Sequence, residues 1–100
     1  MARSRLDLHQ ELLGILPNVY FQAPNNLSIN YPAIMYELSD IQDRFADNLP
    51  YQSFKRYEIT LIHRNPDNDV VDKIKALPLC AFDRFFVVDQ LNHYAFSLYF

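Results

Sequence analysis

Three histidines, one cysteine, a stretch of acidic residues and several basic residues set beside aromatics are the side chains through which this chain can do chemistry. His9, His63 and His93 fall in separate segments, without the H-x-x-x-H or carboxylate-bracketed spacing that brings metal ligands onto one face. Positions on the surface or at a rim are their ordinary reading. Asp40, Asp43 and Asp47 depart from the D-x-D-x-D-G loop that wraps calcium, and no glycine near them supplies its sharp turn. With Arg44 among them they read as a solvated acidic stretch, suited to a basic partner segment or a neighbouring copy. Cys80, between Leu79 and Ala81, reads as a small hydrophobe at a strand start, not as a nucleophile. Lys55, Arg56, Arg64 and Arg84 lie beside aromatics, the combination with which a sheet stacks single-stranded bases. A net charge of -3 and a pI near 5.4 give the opposite long-range field, and no glycine-bearing RNP1-like octamer accompanies them.

Composition removes further chemistry. Gly14 is the only glycine, so phosphate cradles, dinucleotide fingerprints and G-x-S-x-G elbows all lack their essential residue. A single cysteine allows no intrachain disulfide and no thiolate cage, which suits a reducing compartment. No apolar run approaches the roughly 20 residues that cross a bilayer, so the reading is a soluble protein with no membrane partner. At 100 residues the chain has room for a single domain, residues 1–100.

The elements that must position these residues follow from periodicity and punctuation. Ser4 with Asp7 has capping-box spacing, and Leu6, Leu8, Leu12, Ile15 and Leu16 continue at helical spacing, which predicts a helix from Arg5 to Leu16 closed by Pro17. Val19 to Asn30 is a connector with turn chemistry at Pro24, Asn25 and Asn26 and one extended excursion at Val19 to Gln22. Tyr31 to Leu38 reads as a strand with Pro32 at its start. Ser39 to Ser53 is polar around Ile41, Phe45 and Leu49. It is expected to be a long loop, with one or two helical turns admitted over Asp40 to Ala46, and a loop of that length is usually a working part.

Phe54 to His63 alternates, Tyr57, Ile59 and Leu61 against Arg56, Glu58 and Thr60, as an antiparallel strand with one wet face does. Asn65 and Pro66 suit a helix start, Val70, Val71, Ile74 and Leu77 form its apolar stripe, and Pro78 ends it. Leu79 to Val88 and Tyr94 to Phe100 are β-prone runs joined by Asp89 to Asn92, as in a hairpin. The last run turns Tyr94, Phe96, Leu98 and Phe100 to one side. The run before it is apolar on both sides, which predicts a strand covered twice. The fold expected is α+β: a four-stranded, mostly antiparallel sheet with both helices on one face and a long loop between its first two strands.

Eight Phe and seven Tyr are hard to house in a chain this short. Phe82, Phe85, Phe86, Tyr94, Phe96, Tyr99 and Phe100 crowd the final hairpin, so some rings must reach the surface unless another subunit covers them. Self-association is the expectation from physics alone.

The segments Tyr31-Pro32-Ala33-Ile34-Met35-Tyr36, Lys55 to Ile62 running into Arg64-Asn65-Pro66-Asp67, Leu77-Pro78, Phe82-Asp83-Arg84 and Asp89-Gln90-Leu91-Asn92-His93-Tyr94 carry a resemblance. They resemble the tail terminator, or tail-to-head joining, family of small neck proteins in long-tailed bacteriophages. The resemblance implies a structural virion protein of the neck, present in host cytoplasm during assembly, that forms a hexameric ring, ends the tail tube and docks onto the head connector. It implies neither catalysis nor cofactor, and its partners are the chain itself, the major tail tube protein, the connector, and DNA that passes through the lumen without specific binding. Carried onto this chain, Phe82, Arg84, Phe85, Tyr94 and Tyr99 are the expected intersubunit residues. Asp40, Asp43, Arg44 and Asp47 are the expected lumen or docking residues, acidic charge letting DNA slide without sticking. A head-completion or stopper protein is the alternative within the neck, and a single-stranded nucleic-acid-binding module the alternative outside it.

Overall fold

The computed structural model describes residues 4–22, 29–46 and 49–100, and for residues 42–46 and 49–54 the backbone alone. Its order is α1 (Arg5–Leu13), β1 (Val19–Phe21), β2 (Ala33–Ala46), β3 (Leu49–His63), α2 (Val70–Lys75), β4 (Cys80–Val88) and β5 (Leu91–Tyr99). The described strands form one five-stranded sheet in the order β1-β2-β3-β5-β4, antiparallel except where β1 runs parallel to β2. The α+β class holds, but the fifth strand corrects the expected four. The excursion at Val19 is a strand because Ile34 N donates to Asn18 O and Gln22 N to Tyr36 O, closing a short ladder that periodicity cannot reveal over three residues.

The core is a cross-strand lattice. Ile34 lies opposite Leu61 and Tyr36 opposite Ile59, while Tyr57, Ile59 and Leu61 lie opposite Leu98, Phe96 and Tyr94. Residues directly opposite share a face, so the alternation read in β3 propagates across β2 and β5. Leu8, Leu12 and Leu16 from the α1 segment and Val70 and Ile74 from α2 close over that face. Leu6, counted in the expected stripe, is exposed, because burial follows the i, i+4 row of Leu8, Leu12 and Leu16.

α1 is shorter than expected, giving way at Gly14, after which Ile15 N and Leu16 N still donate to Leu12 O. Ser4 caps it by accepting from Leu6 N. A polar clasp then ties it to the sheet: Tyr36 Oη accepts from Arg5 Nη1 at 3.1 Å and lies 2.7 Å from His9 Nδ1, while the Arg5 guanidinium sits 4.3 Å over the Phe21 ring. α2 also starts later than Asn65 and Pro66 suggest. Asn65 Oδ1 accepts from Asp67 N in an Asx turn, and Asn68 Oδ1 accepts from Val70 N and Val71 N, so Asn68 supplies the cap.

The largest correction concerns Ser39 to Ser53. Its described residues form neither loop nor helical turn: β2 and β3 continue as a ribbon, from Asp40 opposite Arg56 to Ala46 opposite Leu49. β3 pairs with β5 only from Arg56 to His63, with Phe100 N also donating to Lys55 O, so over residues 40–46 and 49–54 each described strand has only the other as its ladder partner. The segment carries no hydrophobic alternation from which strands could be read. The register shifts at its base, where Ser39 is the extra residue of a bulge: Ser39 Oγ donates to Arg56 O at 3.0 Å and accepts from Arg56 Nε at 2.9 Å. The ribbon helps to explain extents of 52 × 28 × 23 Å for so short a chain. Asp47 and the turn expected at Pro24, Asn25 and Asn26 lie outside the described residues.

Candidate interaction surface

The final hairpin turns at Asp89 and Gln90, both with positive φ (51° and 64°), so the loop holds two residues and β5 begins at Leu91 instead of Tyr94. Two-residue turns of this kind match the twist of the strands they join, even though neither residue here is glycine. β4 is thereby laid along β5 as an edge strand, with nothing beyond it among the described strands. The expectation that a strand apolar on both sides is covered on both sides fails: along β4 only Cys80 is partly covered.

A bulge decides which way its side chains point. Cys80 and Phe82 lie opposite Leu98 and Phe96, on the helix-bearing face. Asp83 is the extra residue, and after it Phe85 and Val87 return to that face while Arg84, Phe86 and Val88 take the open one. Phe82, Phe85, Phe86, Val87 and Val88 are 44, 49, 36, 55 and 47% exposed. With Leu79 they leave roughly 500 Å² of apolar surface bare, at the areas typical of such side chains, as large as the largest patch on ordinary monomers.

The expected intersubunit residues therefore divide three ways. Phe82 and Phe85 are exposed on the helix side, their rings against Phe96 (5.7 Å, edge-on) and Tyr94 (5.0 Å, tilted). Arg84 and the half-buried Tyr99 belong to the open face. Tyr94 belongs to the core: it is buried, and its hydroxyl donates to Pro66 O at 3.2 Å, so it is no surface contact. Phe86, Val87 and Val88 lie outside the expected contact set yet are exposed, and the run of four apolar residues ending at a turn is the sequence signal for them. Of the acidic residues, Asp40 begins the ribbon with Oδ1 accepting from Ile41 N, and Asp43 and Arg44 stand opposite Ser53 and Gln52.

The open face holds a shallow groove of about 370 Å³ lined by Met35, Glu37, Glu58, Thr60, Ile62 and His93. Glu37 stands directly opposite Glu58, and like charges so placed repel. Arg84 answers Glu58 at 3.6 Å and sits 5.6 Å from the Phe86 ring, which stacks on His93 at 4.8 Å. Arg56, on the same face as Glu58, donates from Nε to Ser39 Oγ at 2.9 Å. His93 Nδ1 donates to Leu91 O, and His63 Nδ1 accepts from Asn65 N. Among the described residues no three of His, Cys, Asp or Glu converge as metal ligands, and no described helix is long and apolar enough to cross a membrane.

Two protons are held more tightly than usual. Burial raises the Tyr57 hydroxyl above the ordinary 10.0, Tyr36 adding to the effect and Arg5 opposing it. Burial likewise raises the Cys80 thiol above 9.0, with Lys75 opposing. The folded state thus binds protons that the unfolded chain releases first, so the stability linked to both groups is complete below the ordinary values and declines as pH rises through the raised ones. Melting temperatures measured from pH 7 upward are expected to hold level and then fall above about pH 9. Tyr57→Phe with Cys80→Ala should flatten that fall, and an undiminished slope in the double variant would refute the assignment.

No protein-family model matches the chain, and no curated protein matches it.

Proposed function

We propose that the chain is a structural subunit of the neck of a long-tailed bacteriophage, forming a hexameric ring that ends the tail tube and joins it to the head connector. The observation that carries this reading is the bare apolar strip along β4, which an isolated domain has no reason to keep and a repeated subunit contact covers. The motif resemblance supplies the particular assembly. In this reading the ribbon reaches from each subunit toward the channel or the adjacent ring, and Asp40 and Asp43 contribute the negative lining past which DNA slides. The open face speaks against the nucleic-acid alternative, since Glu37 and Glu58 face each other where a strand's phosphates would lie.

The test mixes the purified chain with tail tubes and, separately, with head connectors, and images both by negative-stain electron microscopy. Rings on tube ends are expected. Binding to connectors alone would assign the stopper role instead, and no binding to either, with no species larger than a pair, would end the neck reading. Salt-dependent binding of single-stranded DNA would reinstate the sheet-aromatic module.

A further inference from the structure

We infer that the free chain pairs with a second copy of itself through residues 85–88 of β4, edge to edge and antiparallel across a two-fold axis, making one continuous sheet of ten strands. This inference stands on the geometry of β4 and does not rest on the ring reading.

The edge is of two kinds. Before Phe85 it is guarded by the Asp83 bulge and by Arg84, devices that discourage a new strand. From Phe85 to Val88 it carries neither charge, proline nor bulge, and all four residues are exposed. The backbone there is also in order for pairing. The two-residue turn makes Val88 and Leu91 a hydrogen-bonded pair, and alternation along the ladder then turns the N–H and C=O of Phe85 and Val87 away from β5, toward the free edge.

A two-fold axis perpendicular to the sheet keeps the helix faces of both copies on one side, so residues of the helix face must meet residues of the helix face. That parity leaves few registers. Centring the axis on Phe85 drives the Asp83 bulge into the partner, and centring it on Val87 sets Phe85 against the turn. Centring it on Phe86 places Phe86 opposite Phe86 of the partner subunit on the open face and Phe85 opposite Val87 of the partner subunit, twice, on the helix face. Both outward residues of each copy then exchange both of their hydrogen bonds. Apolar meets apolar on either side, and Arg84 lies opposite Val88 of the partner subunit, at the margin of the contact. Residues 85–88 of the two copies expose about 650 Å² together, at the areas typical of such side chains, which places the contact in the small, weakly associating class. Self-complementarity is what selects a second copy as the occupant: a single uncharged segment supplies both halves of the contact.

The experiment uses the full chain carrying Cys80→Ser, so that no native thiol competes. In that background Phe86→Cys is expected to form an intersubunit disulfide under mild oxidation, because centred residues lie within bridging distance. Val88→Cys, roughly 13 Å from its own copy in this register, is expected not to. Sedimentation equilibrium of the otherwise unaltered chain is expected to show a dimer, and Val87→Pro or Val87→Lys to weaken it at least about tenfold, with an unchanged melting temperature when both chains are melted dilute enough to be monomeric. Proline is tolerated there because ladder alternation turns the Val87 N–H away from β5, toward the free edge. A monomer up to about 1 mM, a dimer indifferent to both Val87 substitutions, or equal cross-linking at 86 and 88 would overturn the inference. Larger rings with the residue 86 thiol still free would overturn it too, and would leave the ring reading standing.

Discussion

Phe96→Ala is expected to destabilise the domain by about 3–5 kcal/mol, a large share of the roughly 5–15 kcal/mol that holds a domain of this size folded. Phe96 is fully buried at the middle of β5, directly opposite Ile59 on one side and Phe82 on the other. Removing its ring empties the place where α1, α2 and three strands converge, and the surrounding strands, fixed by their ladders, cannot collapse into the space. Urea unfolding should show the midpoint shift with little change in slope. Phe82→Ala is the comparison: its ring touches Phe96 but is nearly half exposed, so the loss should be much smaller in the free chain. Equal losses at the two positions would mean that the hydrophobic centre has been misplaced.

Asn92 carries the second large expectation. It is 9% exposed, the one buried polar side chain among the described residues, and its Nδ2 donates to both His63 O at 3.1 Å and Arg64 O at 3.3 Å. Those carbonyls end β3 and open the corner toward α2, so one amide pins the corner to β5. Asn92→Ala strips two acceptors of their donor at a cost of about 1–3 kcal/mol. Asn92→Asp should cost more at neutral pH, because it turns carboxylate oxygens toward two carbonyls in nearly the same volume. The gap between the variants should narrow as the aspartate is protonated in acid. Thermal melts of both across pH 4 to 7 check this, and an aspartate variant as stable as the parent at pH 7 would contradict the hydrogen-bond assignment.

The parts of the fold that announce themselves in sequence are those with a buried side. Tyr57, Ile59 and Leu61 alternate because one face of β3 is core, and from that strand alone the facing residues of β5 can be placed. Where burial does not impose a period, the sequence is silent or misleading. Three residues at Val19–Phe21 are too few to show one. Ser39 to Ser53 reads as a loop because its polar sequence carries no hydrophobic alternation, although its described residues pair as a two-stranded ribbon. β4 misled in the opposite direction: apolar residues at both parities imply cover, yet the cover has to come from outside the chain. For the same reason the aromatic surplus points to the final hairpin without separating its buried rings from its exposed ones. Tyr94 is spent on the core, while Phe86, Val87 and Val88 hold the exposed end of the edge. The Asp83 bulge, which assigns each ring to its face, leaves no compositional trace.

Among the described residues the buried core cluster lies outside 40–55, and the ribbon meets the body at the bulge where Ser39 and Arg56 hold each other and at Lys55 O, which accepts from Phe100 N. Each cross-strand pair gained or lost there changes the reach by about 3.3 Å, and changes made two pairs at a time leave every other side chain on its original face. Reach is thus decoupled from foldability. Descendants of this chain can lengthen or shorten the ribbon to span a different gap while the domain beneath it stays the same, so ribbon length is free to record the spacing of whatever it touches.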